Sequence, residues 1–268
     1  MLIIGEKINA TSKRVAEAIG QRDAALLQEM ARQQVEAGAD YLDVNAGRGQ
    51  GLEQEVADLK WAIDTVRAAT DVPLCIDSSD PQAIKAALAH YRGKAAIINS
   101  VNAEEGRLTD LLPLALEHGA GVIALAMDDR GVPKEIEGRL RACDRILERA
   151  MAYGIPLERI FLDPLVLPLS VDTGQGMVTL RTLEQIKARY PEAKTTLGLS
   201  NASYGLPRRG VINRALLLMA MYLGLDSVIL DPLDARLMAH IKAAQVVLGR
   251  DTFCREYLRD YRKGRIRE

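Results

Sequence analysis

Short apolar runs rich in β-branched residues recur along the chain, and longer stretches with helical spacing separate them. Each run has the length and composition of a buried strand. The pattern therefore predicts eight strands. The runs occupy residues 2–5, 41–45, 74–77, 96–99, 122–127, 160–163, 196–200 and 228–230.

The stretches between the runs have the spacing of amphipathic helices. Residues 26–37 are typical, with Leu27, Ala31 and Val35 at helical intervals. Regular alternation of strand and helix predicts a parallel sheet with right-handed crossovers, and eight such units predict a closed (β/α)₈ TIM barrel. An open doubly wound sheet is the alternative. It usually carries a glycine-rich phosphate turn after its first strand, where this chain reads GEKIN over residues 5–9.

The composition fits one large core without an extended charged surface. Lys and Arg number 35 against 36 Asp and Glu, so no overall field attracts nucleic acid or an anionic membrane. The longest apolar run, residues 215–223, is too short to span a bilayer. Three scattered cysteines without a paired motif predict neither a disulfide framework nor a zinc site. We therefore expect a single cytoplasmic barrel domain over residues 1–268.

Polar side chains close or directly follow most of the predicted strands. In a barrel, the carboxyl ends of all strands meet at one mouth, where barrel enzymes bind their ligands. We therefore expect a polar ring of carboxylates, carboxamides and hydroxyls at this mouth. The ring comprises Glu6, Asn9, Asp43, Asn45, Asp77, Ser78, Asn99, Ser100, Asn102, Asp163, Ser200, Asn201 and Asp231.

Any single member of the polar ring is equally well explained as the N-cap of the next helix, since Asp, Asn and Ser are preferred caps. The set as a whole indicates a ligand site, because it repeatedly combines acceptors with amide donors. Such a set matches the amino-oxo edge of a pyrimidinone. A phosphate would favour glycine-rich or basic loops after the last strands. A metal would favour clustered histidines, whereas His90, His118 and His240 are isolated.

Seven segments at these strand ends and just beyond them resemble, in order, the pterin-binding methyltransferase family. Within it the likeness is greatest to methyltetrahydrofolate:corrinoid protein methyltransferases and to the folate module of cobalamin-dependent methionine synthase. The resemblance implies a dihydropteroate-synthase-like barrel that moves a methyl group between nitrogen 5 of methyltetrahydrofolate and the cobalt of a corrinoid, in either direction. The segments are LIIGEKIN (2–9), LDVNAG (42–47), IDS (76–78), INSVN (98–102), DPL (163–165), GLSNAS (198–203) and INR (212–214).

The resemblance also implies roles for members of the ring. Asp77, Asn99 and Asp163 would hold the amino-oxo edge of the pterin, and Asn201 would lie near the methyl-bearing nitrogen. A tertiary amine leaves poorly unless its nitrogen gains positive charge, so a hydrogen bond to Asn201 that strengthens in the transition state is the expected catalytic device. Further substrate contacts are predicted for Glu6, Asp43, Asn45 and Ser203. The alternative is that these side chains support neighbouring residues or cap helices.

Two further residues, Arg209 and Tyr204, bear on the binding of the folate tail and on the metabolic pathway. Arg209 aligns with the family pattern and is predicted to bind a carboxylate of the benzoyl-glutamate tail, with plain solvent exposure as the alternative. Tyr204 departs from acetogen-type relatives, which carry Gln there, and resembles the aromatic residue of methionine synthase folate modules. The physiological pathway is therefore left open.

The corrinoid is expected on a separate protein, because the chain has no Asp-x-His-x-x-Gly cobalamin motif. The stretch 215–223 is apolar all round, which predicts burial on more than the barrel side and a homodimer through this helix. Coverage by neighbouring helices of the same chain is the alternative.

Two other functions share the barrel. A dihydropteroate synthase uses an Arg-x-His near its last strand, where this chain reads ILDP over residues 229–232. A folate-binding barrel without catalysis needs only a ring that grips the pterin. Methyl transfer is the preferred prediction, because LSNAS over residues 199–203 is intact.

Overall fold

A computed structural model describes residues 1–266 and contains eight parallel strands in one sheet. Strands that follow one another in the chain are neighbours in the sheet, and the first also pairs with the eighth. The predicted barrel is thereby confirmed. The strands are β1 (Leu2–Asn9), β2 (Tyr41–Asn45), β3 (Leu74–Asp77), β4 (Ile97–Val101), β5 (Gly121–Leu125), β6 (Ile160–Asp163), β7 (Lys194–Thr195) and β8 (Ser227–Leu230).

Helices follow every strand, two of them after β1 and two after β8. None of the helices within residues 1–266 combines the length and apolar character needed to cross a bilayer. They are α1 (Lys13–Gln21), α2 (Ala24–Glu36), α3 (Leu52–Arg67), α4 (Pro81–His90), α5 (Glu105–Glu117), α6 (Ile136–Ala152), α7 (Gln175–Arg189), α8 (Arg209–Tyr222), α9 (Ala235–Val247) and α10 (Arg255–Arg262).

The seventh strand differs from its prediction over residues 196–200. Regular pairing ends at Thr195, and the chain then joins β8 only through a bridge between Gly198 and Ile229 and a hydrogen bond from Ile229 N–H to the Leu197 carbonyl, 2.9 Å. The following residues, Leu199–Asn201, form a 3₁₀ turn. The barrel is therefore closed by a short irregular segment. The last residues of the predicted strand belong to the 3₁₀ turn at the mouth.

The first strand is longer than predicted, since it continues past Gly5 to Asn9. Its register with β2 shifts between Gly5 and Ile8. Within the irregular part, the Lys7 N–H donates to the side-chain oxygen of the buried Gln34, 3.0 Å, so the backbone stays satisfied. Glu6 consequently lies within the strand rather than after it.

Side chains that point into the barrel form an apolar layer below a polar one. Inward positions alternate along each strand, so a polar residue two positions beyond an apolar one sits directly above it. Asp77 and Asn99 stand in this relation to Cys75 and Ile97. The polar ring is therefore closed off from below by apolar contacts. The buried residues of this interior layer are Ile4, Cys75, Ile97, Ile123 and Phe161.

One arginine is buried between the barrel and its outer helices. Arg139 of α6 has 0% of its surface exposed. Its Nη1 donates to the carbonyl oxygens of Pro164 and Leu165, at 2.9 and 2.7 Å, and its Nη2 donates to Oε1 of Gln175, 2.7 Å. A buried charge is tolerated when its donors are matched by fixed dipoles. Arg139 thereby holds the loop that follows β6.

We predict that Arg139→Met lowers the free energy of unfolding by about 3 kcal/mol, because each buried carbonyl left without a donor costs about 1–3 kcal/mol. Urea denaturation measures the loss. The control is Arg141→Met, an exposed arginine on the same helix, for which a change below about 0.5 kcal/mol is expected. Equal losses in the two variants would contradict this role of Arg139.

Candidate functional site

Two amide–carboxylate pairs link the ends of β2, β3 and β4. Asn45, Asp77 and Asn99 are neighbours in register across these strands. The Asn45 amide donates to Asp77 Oδ2, 3.1 Å, and the Asn99 amide donates to Asp43 Oδ1, 3.1 Å. The four side chains predicted for this side of the ring are therefore brought together. Asn45 Oδ1 also accepts the Gly47 N–H, 3.1 Å, whereas the Asn99 amide keeps its carbonyl oxygen and its second N–H for other partners.

The surroundings of the two carboxylates in these pairs disfavour their charged forms. Asp43 is 2% exposed, pairs in register with Cys75 of the apolar layer, and has a pKa well above its usual range because of burial and the neighbouring Asp77. Burial also raises the pKa of Asp77 to about 6, against the opposing effect of the Asn45 hydrogen bond. Each of the two carboxylates accepts a hydrogen bond from an amide, and this only partly offsets the loss of water.

Asp163 repeats this situation at the end of β6. It is 4% exposed, and burial raises its pKa to about 6. Its Oδ1 accepts the Leu165 N–H, 2.7 Å, within the loop that Arg139 holds. Hydrogen bonds from the Leu165 and Gly198 N–H groups and the nearby Arg139 guanidinium only partly offset the loss of water. Asp163 is thus fixed in position, and its charged form is only partly compensated.

Glu6 ties β1 to the turn that follows β7. Ser200 Oγ donates to Glu6 Oε1, 2.6 Å, and burial raises the Glu6 pKa. Next to it Lys7 forms an ion pair with Asp231, 2.9 Å. A cavity of about 240 Å³ adjoins these residues and reaches Arg209 at the start of α8. In this part of the mouth, Lys7 and Arg209 lie beside the ring.

Asn201 is exposed on the 3₁₀ turn, and its carboxamide takes part in none of the hydrogen bonds formed within residues 1–266. A Cβ at Gly198 would lie 3.2 Å from its Nδ2, so the glycine leaves the carboxamide its room. The turn is held from below, where Arg209 donates to the Ser200 carbonyl, 2.5 Å, and to Ser203 Oγ, 3.0 Å. Ser203 is buried and faces the arginine.

Arg107 holds the loop that follows β3 and the end of β4, as Arg209 holds the turn that follows β7. It donates to the carbonyl oxygens of Ser78, Ser79 and Ser100. Neither Arg107 nor Arg139 was predicted from the sequence. A signal existed for the second, because Arg139 falls on the buried stripe of α6 four residues before Cys143. A charged residue at an apolar position of an amphipathic helix is unusual.

Some ring members bond within their own loops. Asn9 Oδ1 accepts from Thr11, and Asn102 Oδ1 accepts the Glu104 N–H. Asp231 Oδ1 likewise accepts the Leu233 N–H, while its Oδ2 forms the ion pair with Lys7 of β1. The aspartates whose side chains cap helices lie outside the ring. Helix capping therefore does not explain the buried members of the ring. The capping residues are Asp23, Asp80 and Asp234.

The histidines lie apart from the site. His90 contacts Asp64, 2.8 Å, His118 ends α5, and His240 contacts the Arg236 carbonyl, 2.7 Å. Within residues 1–266, no group of three or more His, Cys, Asp or Glu side chains is arranged to hold a metal ion.

The fold agrees with a solved structure at low sequence identity. Dihydropteroate synthase from Xanthomonas albilineans in complex with 7,8-dihydropteroate superposes with a TM-score of 0.72 at 21% identity, covering 94% of each chain. At this identity the likeness shows the fold alone.

Similarity in sequence is stronger. A methylcorrinoid:tetrahydrofolate methyltransferase of Eubacterium limosum is 36% identical over 268 residues, covering 99% of this chain and 98% of that protein. A methionine synthase of Mycobacterium tuberculosis is 33% identical over 247 residues, covering 85% of this chain and 20% of that protein. The family model described as pterin binding enzyme matches residues 5–231, a span that runs from just before Glu6 to Asp231. The chain therefore belongs to the pterin binding enzyme family.

Proposed function

We propose that this enzyme moves a methyl group between nitrogen 5 of tetrahydrofolate and the cobalt of a corrinoid, cobalamin or a relative of it, carried by a separate protein. The observation that carries the proposal is an exposed carboxamide, Asn201, beside a ring of buried carboxylates whose charged forms the fold only partly stabilises. Similarity to a methylcorrinoid:tetrahydrofolate methyltransferase along the whole chain supports it. The name of that relative favours transfer from methylcorrinoid to tetrahydrofolate.

The pterin supplies what the ring lacks. Its exocyclic amino group and ring N–H are donors, and the carboxylates of Asp77 and Asp163 are acceptors whose charged forms gain by accepting. The Asn99 carboxamide offers both a donor and an acceptor to the oxo side of the same edge. Asp43 holds Asn99, and Asn45 holds Asp77, through the two hydrogen bonds between them. In this proposal the pairs fix the orientation of the groups that grip the ligand.

Asn201 acts on the reacting nitrogen. In the methylation of cobalt(I), the bond between methyl and nitrogen 5 breaks, the cobalt electron pair forms the new bond, and the nitrogen keeps the pair of the broken bond. A protonated nitrogen leaves as neutral tetrahydrofolate. The carboxamide accepts from the protonated nitrogen or donates to the free one without itself titrating. Because the reverse reaction passes through the same transition state, Asn201 serves both directions.

The folate tail extends toward the rim, where Arg209 lines the cavity beside Glu6. Two of its donors hold the Ser200 carbonyl and Ser203 Oγ, and a guanidinium has five. We propose that the remaining donors bind a carboxylate of the tail. Ser203 then contributes by orienting the arginine. The whole assembly uses residues from β1 to α8, so we treat residues 1–268 as one pterin-binding domain.

We further propose a homodimer and a cytoplasmic setting. Met219 and Tyr222 of α8 are exposed. Together with Met177 of α7, they line an apolar groove of about 660 Å³. An exposed apolar surface of this kind is typical of a subunit contact. For the setting, the three cysteines are free, and two of them, Cys75 and Cys143, are buried, which fits a reducing compartment.

The activity is tested by mixing the protein with methyltetrahydrofolate and cobalt(I) cobalamin without oxygen, and in a second vessel with tetrahydrofolate and methylcobalamin. Absorbance reports methylcobalamin in both. Transfer above the rate without enzyme supports the proposal. Tight folate binding without any transfer would leave a binding barrel, and turnover of a pterin pyrophosphate with 4-aminobenzoate would indicate a synthase.

We predict that Asn201→Ala slows transfer at saturating folate about 100-fold, the cost of about 3 kcal/mol that follows loss of a transition-state hydrogen bond, and changes the folate Kd little. Asp163→Asn keeps an acceptor for the Leu165 N–H and removes the charge. It should raise the folate Kd about 10-fold with a smaller effect on the rate. Equal changes of Kd and rate in both variants would contradict this division.

We predict a solution mass of twice 29.4 kDa by light scattering, and a single-chain mass for Tyr222→Glu, because a charge placed in an apolar contact is left without a partner. Tyr261→Glu, an exposed tyrosine on α10, is the control and should keep the wild-type mass. A wild-type protein with the mass of one chain would exclude the homodimer.

A further inference from the structure

Exposed apolar side chains at the mouth lie on one side of it. We define the apolar arc as four residues in the loops after β6, β7 and β8 and in the first turn of α8. The other exposed large apolar residues within 1–266 lie in the later parts of helices or beyond α9, except Leu52 at the start of α3 and Met177, which lines the groove between α7 and α8. The apolar arc is Val171, Tyr204, Val211 and Leu233.

The centre of the arc is bonded to the turn that carries Asn201. The Tyr204 N–H donates to the Asn201 carbonyl, 3.2 Å, which closes a tight turn between them. Ser170 Oγ donates to the Tyr204 carbonyl, 2.7 Å, and so places Val171 beside the tyrosine. Val171 is 84% exposed and Tyr204 67% exposed. Two large apolar groups are therefore held at the edge of the proposed reacting centre.

The charged side chain next to Val171 does not cover it. Asp172 follows Val171 directly, but its carboxylate accepts the Gly174 N–H and the Gln175 amide, 2.9 and 3.1 Å. Its charge is thus turned toward its own loop. Exposed apolar side chains that the fold holds beside one another, as it does Val171 and Tyr204, mark an interaction site.

We propose that the apolar arc is the surface on which the face of a corrin macrocycle rests during methyl transfer. The proposal rests on the proposed function and adds to it the contact residues for the second substrate. In-line displacement puts the cobalt on the axis through the methyl group and nitrogen 5. The plane of the macrocycle then lies across the mouth around Asn201, and its methyl-bearing face meets whatever surrounds that residue.

A corrin suits the arc better than a second copy of this chain does. The macrocycle is apolar on its faces and carries amides at its edge, so it buries apolar surface against Val171 and Tyr204 while its amides stay in water. A second copy seated on the arc would cover Asn201 and block the approach of the cobalt.

The test uses free cobalt(I) cobalamin as the probe and methyltetrahydrofolate as the methyl donor. For Val171→Glu we expect the cobalamin concentration that gives half-maximal rate to rise at least about 10-fold, since a charge would be covered by an apolar face. The folate Kd should stay unchanged. The matched control is Val247→Glu at the end of α9, also 84% exposed, which should leave both quantities unchanged.

A second pair of variants covers the case in which the new glutamate disturbs its loop. Tyr204→Ser should raise the same cobalamin concentration, and Tyr204→Phe should restore the wild-type value, because the contact needs the ring and not the hydroxyl. Both should keep the wild-type folate Kd and unfolding midpoint.

The proposal is overturned if Val171→Glu and Tyr204→Ser behave like Val247→Glu while the wild type transfers methyl, an outcome that leaves the proposed function intact. A change of solution mass in Val171→Glu alone would assign the arc to a second copy and also overturn it. Absence of transfer in the wild type would overturn the proposed function, and this inference with it.

Discussion

The desolvation of carboxylates at the mouth of the barrel is the constraint on which the rest of the site depends. Burial raises the pKa of Asp77 and of Asp163 to about 6, and it also raises the pKa of Asp43 well above its usual range. A folded-state pKa above the unfolded one means that the fold binds more protons between about pH 4 and 6, so these groups cost stability as pH rises through that range. The ring is therefore a site whose carboxylates gain from the further donors that a ligand brings.

The surrounding structure keeps those carboxylates unneutralised. Arg107, Arg139 and Arg209 all lie close to the ring, yet each donates to backbone carbonyl oxygens of strand-end loops. Arg139 and Arg209 donate in addition to the side chains of Gln175 and Ser203. The arginines fix the loops without forming ion pairs with the ring. The loops are thus rigid, while the ring carboxylates can still accept further hydrogen bonds. This arrangement lowers the stability of the fold, which is common at functional sites. The apolar layer beneath contributes by excluding water from below.

Much of the fold and of the ring could be predicted, because strand ends in a barrel are fixed by periodicity alone. Asp77, Asn99 and Asp163 each terminate or lie within a strand whose inward positions alternate regularly. The seventh strand could not be predicted, since its closure depends on a single bridge at Gly198 to a strand distant in sequence. Equally, the pairing of Asn45 with Asp77 depends on register, which the pattern of one strand does not specify.

The most direct test of this account is the number of protons released when tetrahydrofolate binds, measured by calorimetry in buffers of different ionisation enthalpy. Carboxylates that accept hydrogen bonds from the pterin must become charged, so their pKa values fall on binding. We expect net proton release at pH 6 that disappears by pH 8, where the carboxylates are already ionised. Proton uptake at pH 6, or binding without any proton exchange there, would contradict the claim that the pterin supplies the donors missing from this ring.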